Sequence, residues 1–313
     1  MLQKSLTLAL GGGGARGMAH LGVIEETLRA GWRVERVIGI SIGSMAGAMF
    51  AFDPNIQRVQ QKALGFLLSP EFARRQRDLL QATPGNDLGD AGGLFSWYHS
   101  VTEYLKAHHK LSRAVTRRSL LPGAFLEDVV KHLLPDADIS DAQIPLGVAA
   151  IDLLTGDRVV LERGPLRAAV QASASLPGIF PPVEFDGRLL CDLGVLTSLP
   201  VRIARKYKPR VLVGVDVGSN LKPLSEFATA LDVLMRIIEI GEVTFREELR
   251  AEADLVIAPN VGDVEWSNFA EAERLVEVGR AAARHALQDI ASSSTMLQRM
   301  WSALKRSPSF PDD

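Results

Sequence analysis

Three features of the sequence predict an α/β fold with a mainly parallel central sheet. Strand-like and helix-like stretches alternate over most of the 313 residues, the order that builds parallel strands joined by crossover helices. A glycine cluster, Gly11 to Gly14, closes the first β-like run. A G-x-S-x-G turn separates the second apolar run from a helix, the kind of turn that presents a reactive side chain at a strand's end.

Taken in order, Leu6 to Leu10 is a short apolar strand that stops at the glycines. Met18 to Ala30 then places Leu21, Val23, Ile24 and Leu28 at helical spacing and ends at Gly31. Val34 to Ile40 reads as the second strand and Ile42 to Phe52 as a buried helix. Further strands are expected at Pro145–Ile151, Arg158–Leu161, Arg188–Cys191, Val211–Val217 and Leu255–Ala258, with helices at Pro165–Ala172, Leu224–Arg250 and Ala270–Ile290. Residues 53–122 depart from this rhythm. They hold helical patterns, such as Trp97, Tyr98, Val101, Tyr104 and Leu105 on one face, around a Gly/Asp-rich loop at Pro84–Gly93. This reads as a helical insertion over the sheet edge, either completing the core or forming a mobile cap that lines a pocket. The stretch after residue 290 puts Met296, Leu297, Met300, Trp301 and Leu304 beside Arg299, Lys305 and Arg306. Such a tail packs on its own domain or touches a membrane surface or a partner. The expected division is therefore one large domain over 1–290 and a C-terminal tail over 291–313.

Composition narrows the classes. With 47% hydrophobic and 23% charged residues, the chain can bury a substantial core. A net charge of -2 gives no general attraction to nucleic acid, which is not expected as a partner. Cys191 is the single cysteine, so no internal disulfide or cysteine-rich zinc site forms, and a reducing, cytoplasmic compartment fits. The uncharged stretches Val37–Phe52 and Ala168–Val183 reach only 16 residues, short of the roughly 20 that a spanning helix needs. No transmembrane segment and no signal-peptide core are expected.

Ser41 stands at the centre of Gly39-Ile40-Ser41-Ile42-Gly43. The flanking Gly39 and Gly43 let strand and helix approach a sharp turn, and the helix N-terminus turns its positive end toward the hydroxyl. Ser44 lies inside the helix and is the weaker candidate. The run Gly11-Gly12-Gly13-Gly14-Ala15-Arg16-Gly17 admits two readings. Gly12, Gly14 and Gly17 match the dinucleotide fingerprint. Alternatively, Gly12, Gly13 and Gly14 aim backbone N–H groups at an oxyanion. The nucleotide reading requires an acidic residue at the C-terminal end of the next strand, where Ser41 stands instead. With first and second strands adjacent and parallel, the glycine loop and Ser41 lie side by side, and the acyl-transfer reading prevails. Arg16 either supports this loop or faces a phosphate head group.

A serine hydroxyl needs a base. The chain has six histidines, none in a catalytic motif. His20 reads as structural, His99, His108, His109 and His132 as solvated helical positions, and His285 as a packing or exposed residue that would complete a triad only if it met the serine.

The segments GGGGARG, GISIGS, AIDLLTG, ASASLPGIFPPV and CDLGVLTSLPV occur in the order of patatin-like phospholipases. The chain resembles the compact bacterial cytoplasmic branch of that family from Leu6 to about Ala283, including ADLVIAP, and least over 53–122. The resemblance implies a three-layer α/β/α fold and a Ser–Asp dyad without histidine, in which Ser41 matches the nucleophile and Asp192 the aspartate of the D-G-[GA] motif. Here Leu193 replaces the usual glycine of that motif. Asp152, in AIDLLTG, is expected to be structural. The implied function is hydrolysis of carboxylic esters of lipids or acyl compounds, without metal or organic cofactor, at an inner membrane face or in the cytoplasm. Two rivals follow. Leu193 motivates a regulatory protein with little turnover. An acyltransferase would transfer the acyl group to an acceptor other than water, but that class places histidine immediately before its serine, where this chain has Ile40.

Overall fold

The computed structural model describes residues 4–81, 119, 121–221, 223 and 230–304. Among them, eight strands form one sheet: β1 (Ser5–Leu10), β2 (Arg33–Ile40), β3 (Leu146–Asp152), β4 (Arg158–Leu161), β5 (Val183–Phe185), β6 (Arg188–Cys191), β7 (Leu212–Val215) and β8 (Leu255–Ile257). The order is β5-β6-β3-β2-β1-β7-β8, with β4 also paired to β3. The pairs β1–β2, β2–β3, β1–β7 and β7–β8 are parallel. The β3–β4, β3–β6 and β5–β6 pairs are antiparallel. The sheet is thus mainly parallel, as expected, with an antiparallel flank at β3. β5 escaped the sequence reading because three residues with Glu184 at their centre carry no apolar alternation.

The helices are α1 (Ala19–Arg29), α2 (Ile42–Phe52), α3 (Ile56–Leu67), α4 (Pro70–Gln81), α5 (Ala124–Leu133), α6 (Leu166–Ala174), α7 (Val201–Arg205), α8 (Ala230–Ala251) and α9 (Ala272–Leu304), with a 3-10 turn over Gly14–Met18. Alternation along the strands shows how they are layered. Leu6, Leu8 and Leu10 of β1 enter a core cluster with Leu21 and Ile24 of α1, Phe50 of α2 and Leu275 of α9. Ala9, between them, joins a second cluster with Ile38 and Ile40 of β2, Val201 and Ala204 of α7 and Leu249 of α8. β1 therefore buries both faces, and helices cover both sides of the sheet. Burying one such Leu or Ile side chain contributes roughly 1.5–3 kcal/mol.

The segment 53–81 completes the core as well as capping it. Ile56, Val59, Ala63, Leu67 and Phe72 belong to the main cluster, and the Asn55 side chain caps α3 by accepting the Arg58 N–H. The Trp97–Leu105 pattern and the Pro84–Gly93 loop lie outside the described residues. α9 does not stop at Ile290 but continues to Leu304. It lies against α1 through Arg280–Glu25 at 2.6 Å and Arg284–Glu26 at 3.3 Å. The side chains of the tail's apolar face lie outside the described residues. No helix among the described residues is long and apolar enough to cross a membrane.

Candidate active site

Ser41 follows β2 and caps α2 with φ 54° and ψ -126°. A non-glycine residue here is strained by roughly 1–3 kcal/mol and persists only where its surroundings hold it. They do so tightly. A side chain at Gly43 would collide with the carbonyl oxygen of Leu10, and one at Gly39 with the backbone of Ser44. Ser44, buried one turn on, donates its hydroxyl to the Ser41 carbonyl at 2.6 Å, so it braces the turn.

Parallel pairing sets Leu10 opposite Gly39, which brings the glycine run beside the serine as expected. A Cβ on Gly12 would stand 3.4 Å from that of Ser41. One part of the expectation needs correction: the Gly12 N–H is not a free donor, because it is bonded to the Ser198 carbonyl at 2.8 Å. The N–H groups of Gly13 and Gly14 have no carbonyl partner among the described residues. They sit at the head of the 3-10 turn, where the first amides have no partner within the helix. Gly17 lies in that turn against Ile42, with no room for a side chain.

Arg16 is 1% exposed and donates from Nε to the Gly13 carbonyl at 3.0 Å. It supports the loop and does not face a head group. Burial, helped by nearby Arg246, lowers its pKa to about 10, so it remains charged at neutral pH. Behind it, Asp216, Glu242 and Arg246 form a buried polar network. Arg250 binds Asp216 at 2.6 Å, and the Ser198 hydroxyl donates to Glu242. His20 is structural, as read. Burial holds its pKa down at about 4, so the neutral ring meets the Gly11 carbonyl at 2.8 Å through its Nε2 N–H.

Asp192 follows β6 and is 1% exposed. Oδ1 accepts the Gly194 N–H at 2.6 Å. Burial raises its pKa to about 6, against the opposing pull of the Ser41 hydroxyl and the Gly194 N–H. The Ser41 hydroxyl is thus near enough to favour the carboxylate, yet Oδ2 has no well-formed hydrogen bond among the described residues. Leu193 is fully buried with Ile38, Ile40 and Leu199. The leucine that replaces the motif's glycine is therefore a core side chain, and Gly194 supplies the amide that holds the carboxylate. Cys191 is inert, its thiol pushed up to about 12 by burial and by Asp192. His285 is exposed on α9 and does not line the cavity that Ser41 borders. His132 is exposed on α5, where it stacks on Phe66 at 4.6 Å. Asp152 binds the amides of Leu154 and Leu189 at 3.0 and 3.3 Å, a turn-stabilising role.

Ser41 and Gly14 border an apolar cavity with about 120 Å³ open to the centre of a water molecule. Met45 and Met49 continue from Ser41 along one face of α2, and Leu67, Phe72 and Phe125 close the opposite wall. Gln76 of α4 donates to the Ser267 carbonyl at 2.5 Å and Phe72 meets Phe269 edge-on at 5.4 Å, fastening α4 over the cavity. The sequence carried a signal for these lining residues in the helical spacing of 56–72, but not their common target.

A strand–serine–helix turn and a glycine loop thus line an apolar cavity in an α/β protein, with a buried carboxylate beside the serine. The model of the patatin-like phospholipase family matches residues 8–205, and the chain belongs to that family. An uncharacterized NTE family protein of Mycobacterium tuberculosis is 30% identical, over 91% of this chain and 47% of its own length. Patatin-like phospholipase domain-containing protein 6 of Homo sapiens is 28% identical over 84% of this chain and 16% of that protein. Among solved structures, VipD from Legionella pneumophila superimposes with a TM-score of 0.43 at 15% identity, covering 92% of this chain and 67% of that one. The chain spans about half the length, or less, of these curated relatives.

Proposed function

We propose that this chain is a serine hydrolase that cleaves carboxylic esters of lipids through Ser41 and Asp192. One observation carries the reading: a strained serine lining an apolar cavity, with a buried, incompletely partnered carboxylate beside it. At neutral pH Asp192, titrating at about 6, is ionised and accepts the Ser41 proton as the hydroxyl attacks the ester carbonyl. Charge developing on the carbonyl oxygen meets the N–H groups of Gly13 and Gly14, and one such donor contributes about 3 kcal/mol in comparable enzymes. The tetrahedral intermediate collapses, the alcohol leaves with the proton, and Ser41 holds the acyl group. Water then attacks, giving its proton to Asp192, which passes it to the departing Ser41 oxygen as the acid is released.

The cavity suits an acyl chain, since its walls are almost wholly aliphatic and aromatic. The buried packing of Leu193 weakens the case for a protein without turnover, since Oδ1 keeps its amide partner. A cytoplasmic protein that meets its lipid at a membrane surface belongs to the same proposal, supported by the lone buried thiol. The test is labelling of the purified protein with a fluorophosphonate, mapping of the adduct by mass spectrometry, and hydrolysis of p-nitrophenyl acyl esters. Adduct on Ser41, with label and turnover lost in Ser41→Ala, is expected. Turnover at the parent rate in Ser41→Ala would end the proposal, and ester formation in place of acid with added alcohols would point to an acyltransferase.

A further inference from the structure

The stretch Ala172-Ser173-Ala174-Ser175 carries part of the family resemblance, but the mechanism above gives it no task. It forms the end of α6 and reaches both members of the dyad. The Ser173 hydroxyl, fully buried, accepts the Ser41 N–H at 2.9 Å and donates to the Ala149 carbonyl of β3 at 2.7 Å. A hydroxyl has one proton. With that proton committed to Ala149, a lone pair of Ser173 is held toward the amide of Ser41. Two residues on, the Ser175 carbonyl accepts the Asp192 N–H at 2.9 Å. The Ser175 hydroxyl donates back into α6, to the Gln171 carbonyl at 2.8 Å. Ser173 is absent from the cavity lining, whereas Ala174 and Leu176 take part in it.

We propose that Ser173 is a positioning residue for the nucleophile. Through its bridge, the end of α6 holds Ser41 in its strained conformation and, with the Ser175 carbonyl, sets the separation of hydroxyl and carboxylate. The inference rests on the hydrolase reading and deepens it. The left-handed backbone at Ser41 needs outside support. Glycines at 39 and 43 permit that backbone but do not impose it. The Ser173 bridge imposes it, because without it the Ser41 N–H would lose its partner in the turn. The same helix end ties down the Asp192 backbone, so both reacting groups take their place from one rigid element.

Ser173→Ala tests this, with Ser173→Thr as the variant that keeps the hydroxyl. Four quantities are measured: the rate of fluorophosphonate labelling at Ser41, kcat, KM, and affinity for a non-hydrolysable fatty acid that occupies the cavity. In Ser173→Ala, labelling and kcat fall on the order of 10- to 100-fold, as misplacement of a reacting group by about 1 Å does. KM and fatty-acid affinity stay within about twofold, and Ser173→Thr recovers part of the labelling rate. Labelling and kcat within about twofold of the parent in Ser173→Ala overturn the proposal. So does a loss of fatty-acid affinity in proportion to kcat, which marks a general structural defect. If Ser173→Ala does not fold, Ser173→Cys, similar in size but a weak acceptor, takes its place in the same comparison. If the parent protein itself takes no label at Ser41, the hydrolase reading falls first and this inference with it.

Discussion

Asp192 is placed where ionisation is costly, and the proposed mechanism requires that ionisation. Its pKa is raised by burial from 3.8 to about 6. The folded state therefore binds its proton more tightly than the unfolded chain does. The stability from this group is full below about pH 4, and it is lost as pH rises to about 6. That loss is on the order of 2–3 kcal/mol for a group with no solvent access. With Asp192 as the proposed base, activity is expected to have the opposite sign, because a carboxyl group acts as a base only when ionised. The acid limb of kcat/KM is expected at about pH 6. Asp192→Asn keeps an acceptor for the Gly194 amide but cannot ionise. It should lose at least about 1000-fold in kcat yet melt at a higher temperature than the parent at pH 8, with the gap closing toward pH 4. A melting gap that widens on acidification would contradict the assignment. Gly12 supplies a second prediction at this scale. A methyl there meets Ser41 at 3.4 Å, ordinary contact distance. Gly12→Ala should fold with stability within about 1 kcal/mol of the parent but lose about tenfold or more in kcat/KM by crowding the hydroxyl.

At the scale of elements, the site lies where three segments end: β1 in the glycine loop, β2 in the serine turn and β6 in the aspartate loop. Their meeting depends on backbone-to-backbone approach. Gly43 shows this most sharply, because any side chain there collides with the Leu10 carbonyl. Gly43→Ala must move α2 away from β1 and is expected to destabilise the fold by about 3 kcal/mol, read as a clear drop in melting temperature. The contrast with Gly12→Ala separates glycines that shape the fold from those that make room for chemistry. Thermal melts of the two variants side by side make the comparison.

Across the whole molecule, the cavity has no single owner. α1, α2, α3, α4, α5 and the segment before α9 each contribute a wall, and α4 is fastened across it by Gln76 and Phe72. If this space holds the acyl chain, filling it should change which esters are accepted while leaving the chemistry intact. Ala46, beside Met45 on the lining face of α2, is a suitable position. Ala46→Leu is expected to lower kcat/KM for a hexadecanoyl ester about tenfold and leave a butanoyl ester within about twofold, since each added methylene that loses its place is worth about 0.8 kcal/mol. An equal fall for both esters would mean that the acyl group lies elsewhere.

Local pattern was enough to place β1, β2, α1 and α2 within a residue or two of their observed bounds, because apolar period and glycine punctuation are properties of adjacent residues. That is why Ser41 and the glycine loop were legible as a serine turn beside bare amides. Pairing Asp192 with them came from resemblance, since no local pattern reports which loop of a distant strand returns to the same edge. Other features were decided only by tertiary structure. They are the capture of the Gly12 amide by Ser198, the burial of Arg16 away from any head group, the core position of Leu193 and the bridge through Ser173. Each depends on a hydrogen-bond partner or a neighbour in the core supplied by chain far away in sequence. Sequence determined the parts and their local geometry, and packing decided which amides stayed free and how strongly the carboxylate holds its proton.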